Sequence, residues 1–272
     1  MSSLDSLRQQ IDAIDTELLR LLNQRAVLAK EIGVIKNRAS LPIYAPDREI
    51  RLLRSLCERN QGPLRPESIR AIYREIMSAS LALEKNIAIA CLGPSGSPSH
   101  QAALGRFGSS VGYHPCTTVS EVFSATQNQE ADCGVAPLEE PEHGFSSPTL
   151  DCLAETNLRI CAEIAPESTP GARFIALGHQ LNQPTGADRT MIMLVIEDKA
   201  GALVNALDPF RKLGINLIHF ANRPVTPVAA ESRFFVEADG HLEDLEKSGL
   251  LAELGRNCRA VKILGSYPKT RL

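Results

Sequence analysis

Charged side chains that could bind a small anion are spaced along the first 85 residues. Arg25 interrupts an otherwise apolar heptad that runs from Leu4 to Ile35. A helix rises about 1.5 Å per residue, so Arg25 and Lys36 would lie roughly 16 Å apart on nearly the same face. Two long side chains at that spacing can close around a small dianion. Arg25 taken alone could equally snorkel to solvent, pair with an acid or fix the register of the helix.

Arg8 stands apart from this pair, because it would lie about 25 Å from Arg25 along the same helix. That distance is too long for both side chains to bind one small molecule. If Arg8 contributes to the site, it must come from a second copy of the chain. Two later helical segments could complete the site with Arg48, Glu49, Ser80 and Glu84. Each of these residues would usually lie on a solvated helix face, whereas the whole set would surround a dianion with cations, an acid and donors.

The elements that carry these residues follow from the spacing of apolar side chains. Residues 4–85 have a helical pattern with breaks at 41–46 and 61–63, which predicts one long helix and two shorter ones. At 87–92 the pattern changes to a short apolar strand. A glycine-rich turn, a helix and further strands such as 133–137 then indicate an α/β unit.

A third unit follows the polar stretch at 179–186. Its pattern predicts the order strand, helix, strand, strand, helix and strand, which is that of a ferredoxin-like βαββαβ domain. The six predicted elements lie at 190–196, 201–213, 215–221, 232–238, 243–254 and 260–265. A chain of 272 residues is long enough for three small domains. We therefore predict a multidomain protein divided into 1–85, 86–180 and 187–272.

The composition is that of an ordinary soluble globular protein, with 43% hydrophobic residues, 22% charged residues and a net charge of −3. The lack of a basic excess argues against a nucleic-acid partner. The N-terminal residues carry charges and no run of about 18 apolar residues occurs, so we expect neither a signal peptide nor a membrane span, and a cytoplasmic location. The seven cysteines form no CxxC pair, which favours reduced thiols over disulfides or metal ligands.

The charged positions of residues 4–85 together resemble an AroQ-type chorismate mutase domain, in the form fused to prephenate dehydratase in many bacteria. The resemblance rests on Leu7-Arg8, Gln24-Arg25, Ile35-Lys36, Pro46-Asp47-Arg48-Glu49 and the run from Ser78 to Glu84. It implies a domain-swapped helical dimer in which one long helix spans two active sites, which agrees with the distance argument for Arg8. It also implies a Claisen rearrangement of chorismate to prephenate without cofactor, metal or nucleophile. Catalysis would then depend on positioning and electrostatics.

The resemblance also implies which residues bind the two carboxylates of chorismate. Arg25 and Arg8 of the partner subunit would each bind one of them, because guanidinium groups match carboxylates bidentately. Arg48 and Ser80 would support this anion binding. All four residues would act by binding and orienting the substrate.

Three further residues would act at the reacting part of the substrate. Glu49 would hold the ring hydroxyl, while Lys36 and Glu84 would face the ether oxygen, where negative charge develops as the C–O bond breaks. Many relatives have Gln in place of Glu84, and a glutamate can donate only when protonated. We therefore predict an activity that falls as pH rises. One departure from some relatives is Ala45, which replaces an aspartate near the ring hydroxyl.

The middle segment resembles prephenate dehydratase at 93–103, 134–139 and 149–151. That enzyme has two lobes, and its second lobe precedes a Thr-Arg-Phe motif whose threonine is the expected acid catalyst. Here the strand that ends at Ile164 runs almost directly into Ala172-Arg173-Phe174, so the second lobe is missing and alanine replaces the threonine. A cleft enzyme that lacks one lobe cannot enclose prephenate or exclude water. We therefore predict a reduced lobe without dehydratase activity, which serves a structural or interaction role.

The last segment resembles, at 199–204 and 262–268, the ACT domain that gives phenylalanine feedback in prephenate dehydratases. Gly201 at a helix start lets backbone amides approach an amino-acid carboxylate. The family's second ligand motif, Glu-Ser-Arg-Pro, is changed here to Ala221-Asn222-Arg223-Pro224. The candidate effector-binding residues are Gly201, Ala202, Leu203 and Asn222. An aromatic amino-acid effector is one prediction, and a changed or lost ligand is the alternative. Pairing of ACT domains could reinforce the dimer or link dimers into tetramers.

Three functions remain open at this point. The first is a chorismate mutase that has lost its dehydratase activity. The second is a mutase acting on 4-amino-4-deoxychorismate, whose C4 ammonium group would also suit Glu49. The third is a non-catalytic protein that senses amino acids and regulates another enzyme. The mutase positions carry usable chemistry and the dehydratase positions do not, which favours a mutase.

Overall fold

The computed structural model describes residues 3–39, 41, 44–166, 168–224 and 231–269. Positions 42 and 43 of the predicted break between the first two helices lie outside these ranges. Within the described ranges, no helix is both long enough and apolar enough to cross a lipid bilayer. All seven cysteines are described, and all are free thiols.

The N-terminal part consists of three helices, as the apolar spacing predicts. They are α1 (Leu4–Arg38), α2 (Pro46–Arg59) and α3 (Pro66–Glu84). The side chain of Ser3 caps α1 by accepting a hydrogen bond from the backbone N–H of Ser6. Helices α2 and α3 each begin at a proline, whose missing N–H would have no partner in the first turn. The 35 residues of α1 make it about 52 Å long.

The middle of the chain forms an α/β unit around a mixed sheet. Its elements are β1 (Ala88–Leu92), α4 (Pro98–Phe107), β2 (Gly112–Cys116), α5 (Val119–Gln127), β3 (Cys133–Glu140), β4 (Gly144–Phe145), α6 (Ser147–Glu155), β5 (Arg159–Ile164) and β6 (Arg173–Gly178). The strand order is β2-β1-β3-β6-β5, and β4 pairs with β3. Strand β1 is parallel to β2 and β3, whereas β6 is antiparallel to β3 and β5. Strands β5 and β6 are therefore consecutive in the chain and neighbours in the sheet.

The last part of the chain forms a four-stranded antiparallel sheet with helices between its strands. Its elements are β7 (Asp188–Glu197), α7 (Ala202–Lys212), β8 (Leu217–Pro224), β9 (Glu231–Asp239), α8 (Leu242–Lys247), α9 (Leu250–Asn257) and β10 (Ala260–Pro268). The strand order is β10-β7-β9-β8. The six strands and helices lie where the sequence predicts them, with one correction. The helix predicted at 243–254 is two helices, because Gly249 has a left-handed φ of 82° that a continuous right-handed helix does not allow.

The two sheets share one hydrophobic cluster, and each also packs against a separate cluster of its own. Leu150 and Ile160 of the first sheet's unit pack in the same buried cluster as Phe235 and Tyr267 of the second. Gly265 of β10 lies against the backbone of β5 so closely that an added Cβ would collide with it. The two β-containing parts are therefore packed as one body in this chain.

The polar stretch at 179–186 is exposed at most of its positions but is anchored by one buried residue. Asn182 is buried, and its Nδ2 donates hydrogen bonds of 2.6 Å to the carbonyl of Cys161 and 3.0 Å to the carbonyl of Ser266. Its own backbone carbonyl lies 3.0 Å from Nε2 of His241. A polar residue can be buried when such bonds satisfy it, and polarity alone therefore does not predict exposure.

Candidate functional site

Helices α1 and α3 approach each other closely at Gly33. This glycine is buried, and a Cβ added to it would lie 2.7 Å from the Cα of Glu84. Only a residue without a side chain allows this spacing, because heavy atoms do not approach so closely. Gly33 was not among the predicted site residues, although a glycine inside a helix can mark a close contact between helices.

A cavity of about 360 Å³ lies beside this contact, between α1, α2 and α3. Its volume is in the range typical of small-ligand sites. Six of the seven predicted mutase residues line it: Arg25, Lys36, Arg48, Glu49, Ser80 and Glu84. The structure therefore brings together three cations, two acids and a hydroxyl group that are up to 59 positions apart in the sequence.

Arg25 is oriented by Ser80 across the contact between α1 and α3. The Nη1 group of Arg25 donates a hydrogen bond to the Ser80 hydroxyl. That hydroxyl in turn donates a 2.8 Å bond to the carbonyl of Ile76, one turn earlier in α3. Since the Ser80 proton is used in the second bond, its oxygen is free to accept from Arg25. Ser80 therefore acts through Arg25, by holding the guanidinium group at the cavity.

Lys36 and Glu84 form an ion pair at the end of the cavity nearest Gly33. The Lys36 Nζ lies 3.0 Å from Oε2 of Glu84, and their side chains are 16% and 9% exposed. Their contact places a cation and an acid side by side on α1 and α3. Arg48 lies at the exposed edge of the same cavity, at the start of α2.

Glu49 lies in the first turn of α2 with its side chain 14% exposed, and an unexpected partner faces it. Its Oε2 lies 3.2 Å from Nη2 of Arg106, which belongs to α4 of the α/β unit. Burial raises the pKa of the Glu49 carboxyl, and the positive charges of Arg106 and Lys36 counter part of this rise. Arg106 is not predictable from the sequence, because no spacing within α2 or α4 indicates which surfaces of the two helices meet.

Arg8 is the predicted mutase residue that the single chain does not bring to the cavity. Its side chain is 67% exposed and lies 3.7 Å from the carboxylate of Asp5 on the same helix. It lies 17 positions before Arg25, which corresponds to about 25 Å of helix. Within one chain, Arg8 and Arg25 therefore cannot bind the same small molecule.

The dehydratase-type motif at the start of β6 is buried and engaged in ion pairs. Arg173 contacts the carboxylates of Glu163 at 2.7 Å, Glu139 at 3.2 Å and Glu237 at 2.7 Å. Glu237 belongs to β9 of the second sheet and is 0% exposed. Ala172, which stands at the threonine position, is buried in the apolar cluster beneath the first sheet. Arg173 thus connects the two sheets.

The four candidate effector residues lie on two different elements. Gly201 precedes α7 with a left-handed φ of 80°, and Ala202 and Leu203 form the first turn of that helix. Asn222 is exposed on β8. The cavity described above does not include any of them. Nearby Arg223 is engaged with Asp151 of α6 at 2.5 Å.

The helical unit contains a cavity lined by cations, and the α/β unit carries a dehydratase-type motif in a mixed sheet. The protein therefore belongs to the class in which a mutase-type helical unit is fused to a dehydratase-type α/β unit. The family model of chorismate mutase type II matches residues 7–85, and the model of prephenate dehydratase matches residues 89–167. The bifunctional chorismate mutase/prephenate dehydratase of Aquifex aeolicus (strain VF5) is 34% identical over 360 positions, which cover 100% of this chain and 99% of that protein. The chain therefore belongs to the family of bifunctional chorismate mutase/prephenate dehydratases.

Two further comparisons agree with this assignment. The protein of the same description from Neisseria gonorrhoeae (strain ATCC 700825 / FA 1090) is 29% identical over 348 positions, which cover 96% of each chain. The crystal structure of prephenate dehydratase from Streptococcus mutans is 28% identical, with a TM-score of 0.58, over 66% of this chain and 97% of that one. The alignment with the Aquifex protein is longer than this chain, since 360 less 272 leaves 88 positions without a residue here.

Proposed function

We propose that this chain is a chorismate mutase that converts chorismate to prephenate and has lost dehydratase activity. The observation that carries the proposal is the cavity between α1, α2 and α3, in which Arg25, Lys36, Arg48, Glu49, Ser80 and Glu84 meet. Chorismate is a small dianion, and the cavity offers three cations to it. The rearrangement is pericyclic, so this chain needs to supply position and charge rather than a nucleophile.

The charges of the cavity fit the changes in charge along the reaction. Arg25, held by Ser80, would bind one carboxylate in a bidentate contact. Lys36 would stabilise the negative charge that develops on the ether oxygen as the C–O bond breaks. Glu84, in its protonated form, would donate a hydrogen bond to the same oxygen without transferring the proton, and Glu49 would accept a hydrogen bond from the ring hydroxyl. Arg48 would add positive charge at the open edge.

The second carboxylate would be bound by Arg8 of the partner subunit in a domain-swapped homodimer. Helix α1 carries a stripe of exposed apolar residues along the half that bears Arg8: Leu4, Leu7, Ile11, Ile14, Leu18 and Leu21. A long apolar stripe at this spacing is typical of a helix that packs on another helix. A second copy of α1 would cover the stripe and bring its own Arg8 to the cavity. Tetramers would follow if the last sheets also pair.

Loss of dehydratase activity is supported by the first sheet. The buried methyl group of Ala172 has no proton to donate, and Arg173 is already paired with three carboxylates. The short connection from β5 to β6 leaves no second lobe over this part of the sheet. The 88 positions missing relative to the Aquifex protein fit the loss of a lobe. We propose that this α/β unit now acts as a structural support. It corresponds to 86–180 in the predicted division into 1–85, 86–180 and 187–272.

The two activities can be measured separately on the purified full chain. Chorismate consumption and prephenate formation measure the mutase, and phenylpyruvate formed from added prephenate at neutral pH, minus an enzyme-free blank, measures the dehydratase. We expect prephenate from chorismate and no phenylpyruvate above the blank. Lys36→Met should abolish prephenate formation, whereas Lys30→Met, at an exposed position of the same helix, should not. A wild-type chain that forms no prephenate would contradict the mutase proposal, and phenylpyruvate formation would contradict the loss of the dehydratase.

The last sheet could still regulate the mutase as an ACT domain. Its βαββαβ order and the left-handed Gly201 before α7 support an amino-acid site at Gly201, Ala202, Leu203 and Asn222. The test is a titration with phenylalanine and tyrosine that follows both mutase rate and thermal melting temperature. An unchanged melting temperature at millimolar amino acid would mean that the effector has changed or been lost. The cytoplasmic location stays a prediction.

A second candidate is the mutase reaction of 4-amino-4-deoxychorismate, and a third is a non-catalytic regulatory protein. The second uses the same cavity and differs at the group that faces Glu49, so the surroundings of Glu49 decide between the substrates. The third is disfavoured by the Arg25–Ser80 and Lys36–Glu84 contacts, which keep chemically useful groups around an open cavity.

A further inference from the structure

Arg106 belongs to α4 of the α/β unit, yet its guanidinium group reaches the mutase site from behind Glu49. Nη2 of Arg106 lies 3.2 Å from Oε2 of Glu49, and the two side chains are only 17% and 14% exposed. Nε of Arg106 donates a 2.8 Å hydrogen bond to the Tyr44 hydroxyl. Among the described residues, Nη2 has no hydrogen-bond partner, so its contact with Glu49 is an ion pair without hydrogen-bond geometry.

The position of Arg106 is fixed by the packing of α4 and the following turn against α3. Gly108, which ends α4, lies so close to α3 that an added Cβ would be 2.6 Å from the Cβ of Ser78. The backbone N–H of Ser110 donates a 3.0 Å bond to the Ser78 hydroxyl, and the hydroxyl of Ser109 donates a 2.6 Å bond to Glu75. These contacts fix the C-terminal end of α4, which carries Arg106, against the helical unit.

We propose that Arg106 is a positioning residue of the mutase site, which holds Glu49 as an ionised hydrogen-bond acceptor and makes the site select a substrate with a C4 hydroxyl over one with a C4 ammonium. The inference rests on the proposed function and deepens it by naming the substrate class. Arg106 does not line the cavity, so it acts through Glu49.

Four charged groups that face Glu49 influence the ionisation of its carboxyl group. Arg106 from α4 and Lys36 from α1 favour its ionised form, whereas Asp47 of α2 and Glu84 of α3 disfavour it. Burial also disfavours the ionised form and raises the pKa of Glu49. Arg106 is permanently charged, because a guanidinium group does not lose its proton in proteins. Its removal would therefore leave Glu49 harder to ionise.

The positive charge of Arg106 also distinguishes chorismate from 4-amino-4-deoxychorismate. An isolated carboxylate attracts an ammonium group more strongly than it attracts a neutral hydroxyl. Here the charge of Glu49 is offset by Arg106, and a second cation beside the pair would meet like-charge repulsion in a partly desolvated site. A hydroxyl group can still donate its hydrogen bond to the Glu49 carboxylate without that repulsion. The site should therefore prefer chorismate.

The test compares Arg106→Met with the wild-type full chain on both substrates. We expect kcat/KM for chorismate to fall by about tenfold or more, and the ratio of kcat/KM for chorismate to that for 4-amino-4-deoxychorismate to fall by about tenfold or more. The acid limb of the mutase pH profile should move to higher pH, because Glu49 without Arg106 ionises at higher pH. A merely structural role for Arg106 would lower both activities together and leave the acid limb in place.

Two further variants separate charge from packing. Arg106→Lys keeps the charge, so it should keep the substrate ratio and the acid limb near their wild-type values, even if Arg106→Met folds poorly in a thermal melt. Arg74→Met is the matched control, since Arg74 also lies at the contact of α3 with α4, 3.5 Å from the carbonyl of Gly105, and carries no contact to Glu49. It should change neither readout.

The outcomes distinguish this inference from the proposed function. If the wild-type chain forms no prephenate, the proposed function fails. If the wild-type chain is an active mutase but Arg106→Met leaves both the ratio and the acid limb unchanged, the role of Arg106 alone is wrong. A ratio that changes equally in Arg106→Lys and Arg106→Met would also overturn it, as would a wild-type preference for 4-amino-4-deoxychorismate.

Discussion

Arg25 lies in the apolar seam of α1, and its contacts orient its guanidinium group for binding a carboxylate. A cation in a helix seam is unfavourable to bury unless its donors are satisfied. The Ser80 hydroxyl accepts a hydrogen bond from one of these donors and is itself oriented by its bond to the carbonyl of Ile76. The remaining donors of the planar guanidinium group are available to a carboxylate, which matches its fork.

Replacement of Arg25 by lysine tests the fork rather than the charge. Arg25→Lys should lower kcat/KM for chorismate by about 10²- to 10³-fold, which is the usual effect of losing one well-placed donor to a transition state. The melting temperature should change little, because Lys keeps the charge and most of the length. Arg20→Lys is the control, since Arg20 lies on the exposed face of α1 in an ion pair with Glu17 and should behave as the wild type. Equal kinetics for the two variants would contradict a role for Arg25 in substrate binding.

Glu84 tests whether the residue beside Lys36 donates a hydrogen bond to the ether oxygen. Glu84→Gln keeps the shape of the side chain and carries an amide, which donates without a carboxyl proton. If this residue is the donor, Glu84→Gln should convert chorismate at least as fast as the wild type, whereas Glu84→Leu, which has no donor, should lower kcat/KM by about 10²-fold. Wild-type kinetics for Glu84→Leu would show that Glu84 is not the donor.

At the scale of secondary structure, the site depends on how closely α1 and α3 pack. Gly33 allows the two backbones to meet, and Lys36 and Glu84 pair on the same side of this contact. The spacing of the helices is therefore coupled to the spacing of the site's charges. A side chain at position 33 would push α1 and α3 apart and would also move Lys36 away from Glu84.

Gly33→Ala should disturb stability and catalysis together. The added Cβ would lie 2.7 Å from Glu84 Cα, and relief of such overpacking typically costs about 1–3 kcal/mol. We expect a melting temperature lower by several degrees and a reduced kcat for chorismate. Gly255→Ala is the control, because Gly255 lies in α9 with open space around its Cα, and alanine there should stabilise the helix slightly. A Gly33→Ala protein with wild-type stability and activity would contradict the close packing of α1 and α3.

The sequence predicted the elements better than their contacts. Helical spacing places Arg25 and Lys36 on one face of α1, and short connections force α2 and α3 to pack beside it, so the cavity could be foreseen. The approach of α4 to α2 could not be, because it depends on which surfaces of two units meet. The contact of Arg106 with Glu49 is not predictable from the sequence for this reason. The burial of Asn182 is not predictable either, since its hydrogen-bond partners are residues far away in the sequence.

At the scale of the whole molecule, the α/β unit contacts both of its neighbours. Arg173 joins it to the second sheet through Glu237, and Arg106 joins it to the helical site through Glu49. If the unit lacks dehydratase activity, as proposed above, these contacts still give it a role in supporting the mutase site and the last sheet. Its replacement by an unrelated spacer would then reduce mutase activity even though the helical residues remain.

The proposed dimer gives the most demanding prediction, because the single chain leaves Arg8 far from the cavity. If Arg8 acts across the interface, a heterodimer of one Arg8→Ala chain and one Arg25→Ala chain has one native site, formed by Arg25 of the first chain and Arg8 of the second. With two affinity tags to isolate heterodimers, we expect about half of the wild-type activity per dimer, whereas each mutant homodimer should be nearly inactive. A heterodimer of Arg8→Ala with the Arg8→Ala/Arg25→Ala double variant has no native site and should stay inactive. If the first heterodimer also shows no recovery, Arg8 does not act in trans, and the apolar stripe of α1 must pack in a different arrangement.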